Sequence, residues 1–118
     1  GDELAGQASE VNGIKVLASR LDDVEQKALR DTVERLKNRL GSSIVVIGGA
    51  DDGNVRQAAG ISDDLLTRIQ AGNLVNFVAQ QVGGKGGGRP DFAQAGGSQP
   101  ENLDRALGSV QDWVAENS

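Results

Sequence analysis

The chain has 118 residues, a length that accommodates one domain with a modest core. That core must be aliphatic, because the sequence holds one Trp, two Phe and no Tyr. With no His and no Cys, the chain cannot form disulfides, His–Cys zinc sites, thiol nucleophiles or His-dependent catalytic triads. The formal net charge of −5 opposes simple binding of nucleic acid, since Lys and Arg are what neutralise phosphates.

No apolar run approaches the length of a membrane span, and no segment has the pattern of a signal peptide. We therefore expect a soluble, cytoplasmic protein without a membrane partner. The acids are unevenly placed, because residues 1–82 contain 12 of the 17. Residues 83–97 carry two cations and one acid, so a local positive surface is compatible with the acidic whole.

The first half of the chain predicts a strand, a helix and a hairpin. Residues 1–10 are polar and predict a disordered terminus, and Ile14–Ala18 predicts a strand. Apolar residues spaced three and four apart predict a helix from residue 24 to 40, opened by Asp22 and Glu25 as an approximate capping box and ended by Gly41. The buried-strand pattern of residues 42–49 is followed by a turn at 51–54 and a returning arm at 55–60.

The second half predicts mainly helices. Ser62 is an expected N-cap for a helix that Gly72 and Asn73 break or bend, and residues 74–82 predict a second helix. A last helix begins near Pro100, and the apolar spacing makes Trp113 a core anchor rather than a base-stacking residue. A short strand near residues 92–95 completes the prediction. The fold class is α/β (mixed α+β), with a small mixed sheet of about three to five strands flanked by helices.

Residues 83–97 form the most informative segment, with the sequence GGKGGGRPDFAQAGG. Seven of the 17 glycines lie here, together with Lys85, Arg89, Asp91 and Gln94. Because an ordered glycine run costs backbone entropy, it indicates either positive φ angles or close approach of bare backbone to another molecule. A purely structural crossover loop is the main alternative, and the composition argues against a flexible linker. The spacing fits neither a Walker A loop nor GxGxxG, so ATP binding is unsupported.

The same fifteen residues resemble the signature near the C-terminus of bacterial-type alanyl-tRNA synthetases. The segments Val11–Ala18 and Ala71–Asn76 are similar to that family as well, so the resemblance covers nearly the whole chain. It implies a DHHA1-like domain of the type called C-Ala over residues 11–118. Residues 1–10 would then be the end of a helical linker to the rest of the synthetase.

The resemblance implies a non-catalytic domain that binds the elbow of alanine tRNA and supports aminoacylation and editing by other domains. Its expected partners are that tRNA, the other synthetase domains and a second copy in a homodimer. ATP, Mg²⁺ and Zn²⁺ are implied only for the whole alanine–tRNA ligase, and no cofactor is expected in this chain. The alternatives are a dimerisation or scaffold module, and a substrate-binding domain of a DHH-type phosphoesterase, whose relatives carry His where Lys85 stands.

The candidate RNA-binding residues follow from this position and chemistry. Lys85 and Arg89 are expected to contact phosphates, with the face of a flipped base as an alternative for Arg89. Gln94 is expected to hydrogen-bond a base or a 2′-hydroxyl, and Asp91 to orient Arg89. The glycines expected to let the RNA backbone approach are Gly84, Gly86, Gly87 and Gly88. Arg68 and Arg105 are secondary candidates that we interpret as ordinary surface residues.

Overall fold

The computed structural model describes residues 3–118 and places a six-stranded mixed sheet between two helical layers. The strand order is β1-β2-β3-β4-β6-β5. Short 3₁₀ turns lie at Glu3–Gln7, Asp63–Leu65 and Pro100–Asn102. The strands are β1 (Ser9–Val11), β2 (Ile14–Arg20), β3 (Ser43–Asp51), β4 (Asn54–Ile61), β5 (Gly86–Gly88) and β6 (Phe92–Gly97). The helices are α1 (Gln26–Leu40), α2 (Ala71–Gln81), α3 (Leu103–Gly108) and α4 (Val110–Asn117).

The strand pairing confirms the mixed sheet. β2 and β3 are parallel because α1 crosses over between them, and the other neighbouring pairs are antiparallel. The predicted turn joins β3 to β4, with φ of 53° at Asp52 and 83° at Gly53. Two successive positive φ angles match the twist of a two-residue hairpin.

Both faces of the sheet are buried, which explains the continuous apolar run of β3. Its alternate residues enter different cores, with Val45 and Ile47 facing α1 and Ile44 and Val46 facing the other helices. Trp113 is half-buried and stacks on Phe77, with ring centroids 5.5 Å apart, so it packs at the edge of the core formed with α2, α3 and α4 rather than inside it.

Two helix starts differ from prediction because acidic side chains bond elsewhere. The carboxylate of Asp22 accepts hydrogen bonds from the Ala50 N–H at 2.9 Å and Arg20 Nε at 2.8 Å, which lowers the pKa of Asp22. The approximate capping box is therefore absent, and α1 begins at Gln26 without a side-chain cap.

The helix predicted from Ser62 is only a 3₁₀ turn. Asp64 accepts hydrogen bonds from the Ser42 hydroxyl at 2.5 Å and the Ser62 hydroxyl at 2.6 Å, and these bonds lower the pKa of Asp64.

The predicted break at Gly72 and Asn73 is also wrong, because both residues belong to the first turn of α2. The single C-terminal helix that the sequence predicts is divided into α3 and α4.

Two of the six strands, β1 and β5, were not predicted from the sequence. β1 pairs with β2 and runs across the predicted boundary between residues 10 and 11. Leu4 and Ala5 of the preceding 3₁₀ turn, and Ala8 after it, pack against the α1-side core, while residues 1 and 2 lie outside the described part of the chain. β5 consists of three glycines, which carry no side-chain pattern at all. Within residues 3–118, no helix combines the length and hydropathy needed to cross a bilayer.

Candidate functional site

The glycine-rich segment folds as a β-hairpin at the edge of the sheet. β5 pairs with β6 in the register Gly86↔Ala95, Gly87↔Gln94 and Gly88↔Ala93. The Arg89 N–H donates to the Phe92 carbonyl at 2.9 Å and closes the turn between the two strands. The segment is thus an ordered edge strand whose three residues are all exposed.

Close packing explains three of the four candidate glycines. A Cβ on Gly84 would lie 2.0 Å from the Gly96 carbonyl oxygen, and one on Gly86 would lie 2.3 Å from Ala95 Cβ. A Cβ on Gly88 would lie 2.8 Å from Ala93 Cα. At Gly87, by contrast, a Cβ would meet no atom within 4 Å. The packing of the hairpin therefore does not require a glycine at position 87, where the backbone is left bare.

One groove runs along β5 on the side of α2. Its lining combines the glycine backbone with Lys85, Asn73 and Asn76. The Ala71 N–H donates to the Pro90 carbonyl at 2.8 Å, so the start of α2 is fastened to the hairpin turn. The exposed Lys85 ammonium forms no ion pair within residues 3–118 and is available to an anion.

A second groove lies on the α1 side of β5, beside the Phe92 ring. Phe92 is 7% exposed and belongs to the α1-side core, whereas the side chain of Ala93 packs in the other core. The groove is also lined by Arg30, Arg89 and Gln94. Arg30 Cζ lies 5.2 Å from the centre of the Phe92 ring, a cation–π geometry. Arg89 Nε lies 3.2 Å from Asp91 Oδ1, so the expected contact between these two side chains is present.

The structure gathers six of the seven predicted site residues around β5, while Gly84 packs against Gly96 outside both grooves. Arg68 and Arg105 are exposed and line neither groove. The six that line the grooves are Lys85, Gly86, Gly87, Gly88, Arg89 and Gln94.

Sequence reasoning missed three polar groove residues, which come from α1 and α2. Arg30 lies on the exposed face of α1, and nothing in the sequence distinguishes it from an arginine that only faces solvent. Asn73 was interpreted as part of a helix break or bend, and Asn76 fell within the helix predicted over residues 74–82. Together the two groove linings hold three cations and no carboxylate, although the whole chain carries a net charge of −5. The site is locally positive on an acidic body.

These features define a small mixed α/β domain whose distinguishing surface is an edge hairpin of bare glycine backbone between two cationic grooves. The DHHA1 domain model matches residues 13–116, and the chain belongs to that family. It is 55% identical over 115 residues to an alanine–tRNA ligase of Cupriavidus necator, a match that covers 98% of this chain. The chain spans only 13% of that relative's length, and the similarity is to the C-terminal region of such bacterial synthetases.

Solved structures show the same fold. The C-Ala domain of Aquifex aeolicus alanyl-tRNA synthetase matches with a TM-score of 0.84 at 23% identity, over 92% of this chain and 97% of that one. A DHH-domain protein described as a member of a family of ribosomal proteins matches with a TM-score of 0.62 at 14% identity. That match covers 98% of this chain and 29% of the other. The predicted family and fold class are thereby confirmed.

Proposed function

We propose that this chain is the tRNA-binding C-terminal domain of an alanine–tRNA ligase, acting in the cytoplasm. It would hold the elbow of alanine tRNA while the other domains, with their ATP, Mg²⁺ and Zn²⁺, perform aminoacylation and editing. The observation that carries this proposal is the exposed glycine strand between grooves that contain three cations and no carboxylate. Bare backbone lets a ribose-phosphate chain approach closely, and the cations supply attraction for its phosphates.

The charge distribution predicts how such binding behaves. A few local cations on an acidic body give modest affinity with strong salt dependence, because each phosphate contact releases counterions. A dimerisation module is less well supported, because residues 3–118 leave no large hydrophobic side chain exposed. Recognition through a positive surface therefore fits this chain better than association through an apolar one.

The test is a fluorescence-anisotropy titration with alanine tRNA at two salt concentrations. Lys85→Ala should weaken binding and reduce the slope of log K against log salt by about 1. Arg105→Ala, a matched loss of one exposed cation outside both grooves, should leave both quantities unchanged. A hairpin RNA that lacks the elbow should bind more weakly than the whole tRNA.

Equal affinity for the whole tRNA and the elbow-less hairpin would contradict recognition of the elbow. An undetectable interaction at low salt would contradict RNA binding altogether. Sedimentation would then test the homodimer, which predicts a concentration-dependent mass.

A further inference from the structure

Arg30 is the groove cation whose surroundings differ most from those of an ordinary surface arginine. Its guanidinium lies over the ring of Phe92, and Phe92 belongs to the α1-side core together with Leu29 and Val33. Within residues 3–118 Arg30 forms no ion pair. The planar guanidinium of Arg30 thus packs against a buried aromatic ring, and its N–H donors form no ion pair within the described residues.

The two grooves differ in the chemistry they offer. The α2-side groove presents the Lys85 ammonium and two asparagine amides, groups suited to phosphate and ribose. The α1-side groove presents the Arg30 guanidinium beside the Phe92 ring, the bare backbone of Gly87, and the amide of Gln94. A planar cation beside bare backbone and one hydrogen-bonding amide suits a nucleobase better than a phosphate.

We propose that Arg30 is a base-stacking residue, which receives the exposed face of one nucleobase on its guanidinium in the α1-side groove. Gln94 hydrogen-bonds the edge of that base, and the RNA backbone crosses the bare strand at Gly87 toward Lys85. The inference rests on the proposed RNA-binding function and names the element of RNA that the site takes. Arg89 is not assigned to this base, because Asp91 already contacts its guanidinium.

Substitution by Lys separates stacking from simple charge. Lysine keeps the positive charge of Arg30 but lacks the planar group that covers a base. For a stacking residue, Arg30→Lys and Arg30→Ala should both lower the affinity for alanine tRNA by about tenfold, within the range of one base–side-chain stack. Arg30→Lys should keep the wild-type salt slope. Arg105→Lys and Arg105→Ala provide the matched pair outside the grooves, and circular dichroism confirms that each variant is folded.

Wild-type affinity for Arg30→Lys together with weak binding by Arg30→Ala would overturn the inference and assign Arg30 to a phosphate. Wild-type affinity for Arg30→Ala would overturn it as well. In both cases the proposed function survives if Lys85→Ala still weakens binding. If the wild-type domain binds no tRNA at low salt, the proposed function and this inference fail together.

Discussion

Neighbouring glycines in β5 should respond in opposite ways to the same substitution. In Gly86→Ala the new Cβ would lie 2.3 Å from Ala95 Cβ and 2.5 Å from the Gln94 carbonyl oxygen. Neither is the end of a flexible side chain, so relief requires movement of paired backbone. In Gly87→Ala the new Cβ meets nothing within 4 Å. Only the first substitution should disturb the fold.

The magnitude follows from overpacking. Forcing a methyl group into a closely packed site costs about 1–3 kcal/mol. For a domain of this size the unfolding entropy corresponds to a change in melting temperature of about 4 °C per kcal/mol. Gly86→Ala should therefore melt about 4–12 °C below the wild type. Gly87→Ala should melt at or slightly above the wild-type temperature. Alanine lowers the conformational entropy of the unfolded chain, which stabilises the fold by about 0.4–1 kcal/mol.

Thermal melts followed by circular dichroism, paired with tRNA titrations of the same samples, test both effects. Because Gly87 lines both grooves, Gly87→Ala should weaken RNA binding while its melting temperature is kept. A Gly86→Ala protein that melts like the wild type would refute the packing argument. A Gly87→Ala protein with lowered stability would show that this glycine also serves the fold, and unchanged RNA affinity would refute close approach of RNA there.

Three further predictions concern stability. The two serine hydroxyl groups that lower the pKa of Asp64 make its carboxylate stabilising above the ordinary pKa of 3.8, and this contribution disappears as pH falls through the lowered value. The melting temperature of Asp64→Asn should thus be lower than that of the wild type at neutral pH, and the two temperatures should become equal in strong acid. A difference in melting temperature that is the same at all pH values would contradict this. Gly49→Ala should lower the free energy of unfolding, measured by urea denaturation, by at least about 3 kcal/mol, because its Cβ would lie 1.7 Å from the Leu21 carbonyl oxygen. A variant with near-wild-type stability would refute this prediction. Gln57 is fully buried, and its Oε1 has no hydrogen-bond partner within residues 3–118, while Nε2 donates to the Val75 carbonyl at 3.0 Å. Gln57→Leu should raise the free energy of unfolding by about 1 kcal/mol, since burying an unpaired oxygen costs more than one bond contributes, and a lower melting temperature would contradict this.

The sequence by itself determined the elements whose patterns are strong and local. The apolar spacing predicts α1, the branched apolar run predicts β3, and the turn residues Asp52 and Gly53 predict the hairpin that follows. The composition excludes His- and Cys-based chemistry, and the fifteen-residue glycine segment indicates the family that the comparisons confirm.

Only the tertiary structure decided how the glycines act and which residues join them. β5 has no side chains, so its pairing with β6 is visible only when Ala93 and Ala95 are seen packed against it. Arg30 lies far from the hairpin in sequence, and it reaches the site because α1 covers the sheet beside Phe92. Local sequence patterns report backbone preference and burial, whereas a site assembled from several elements depends on long-range packing, which those patterns do not encode.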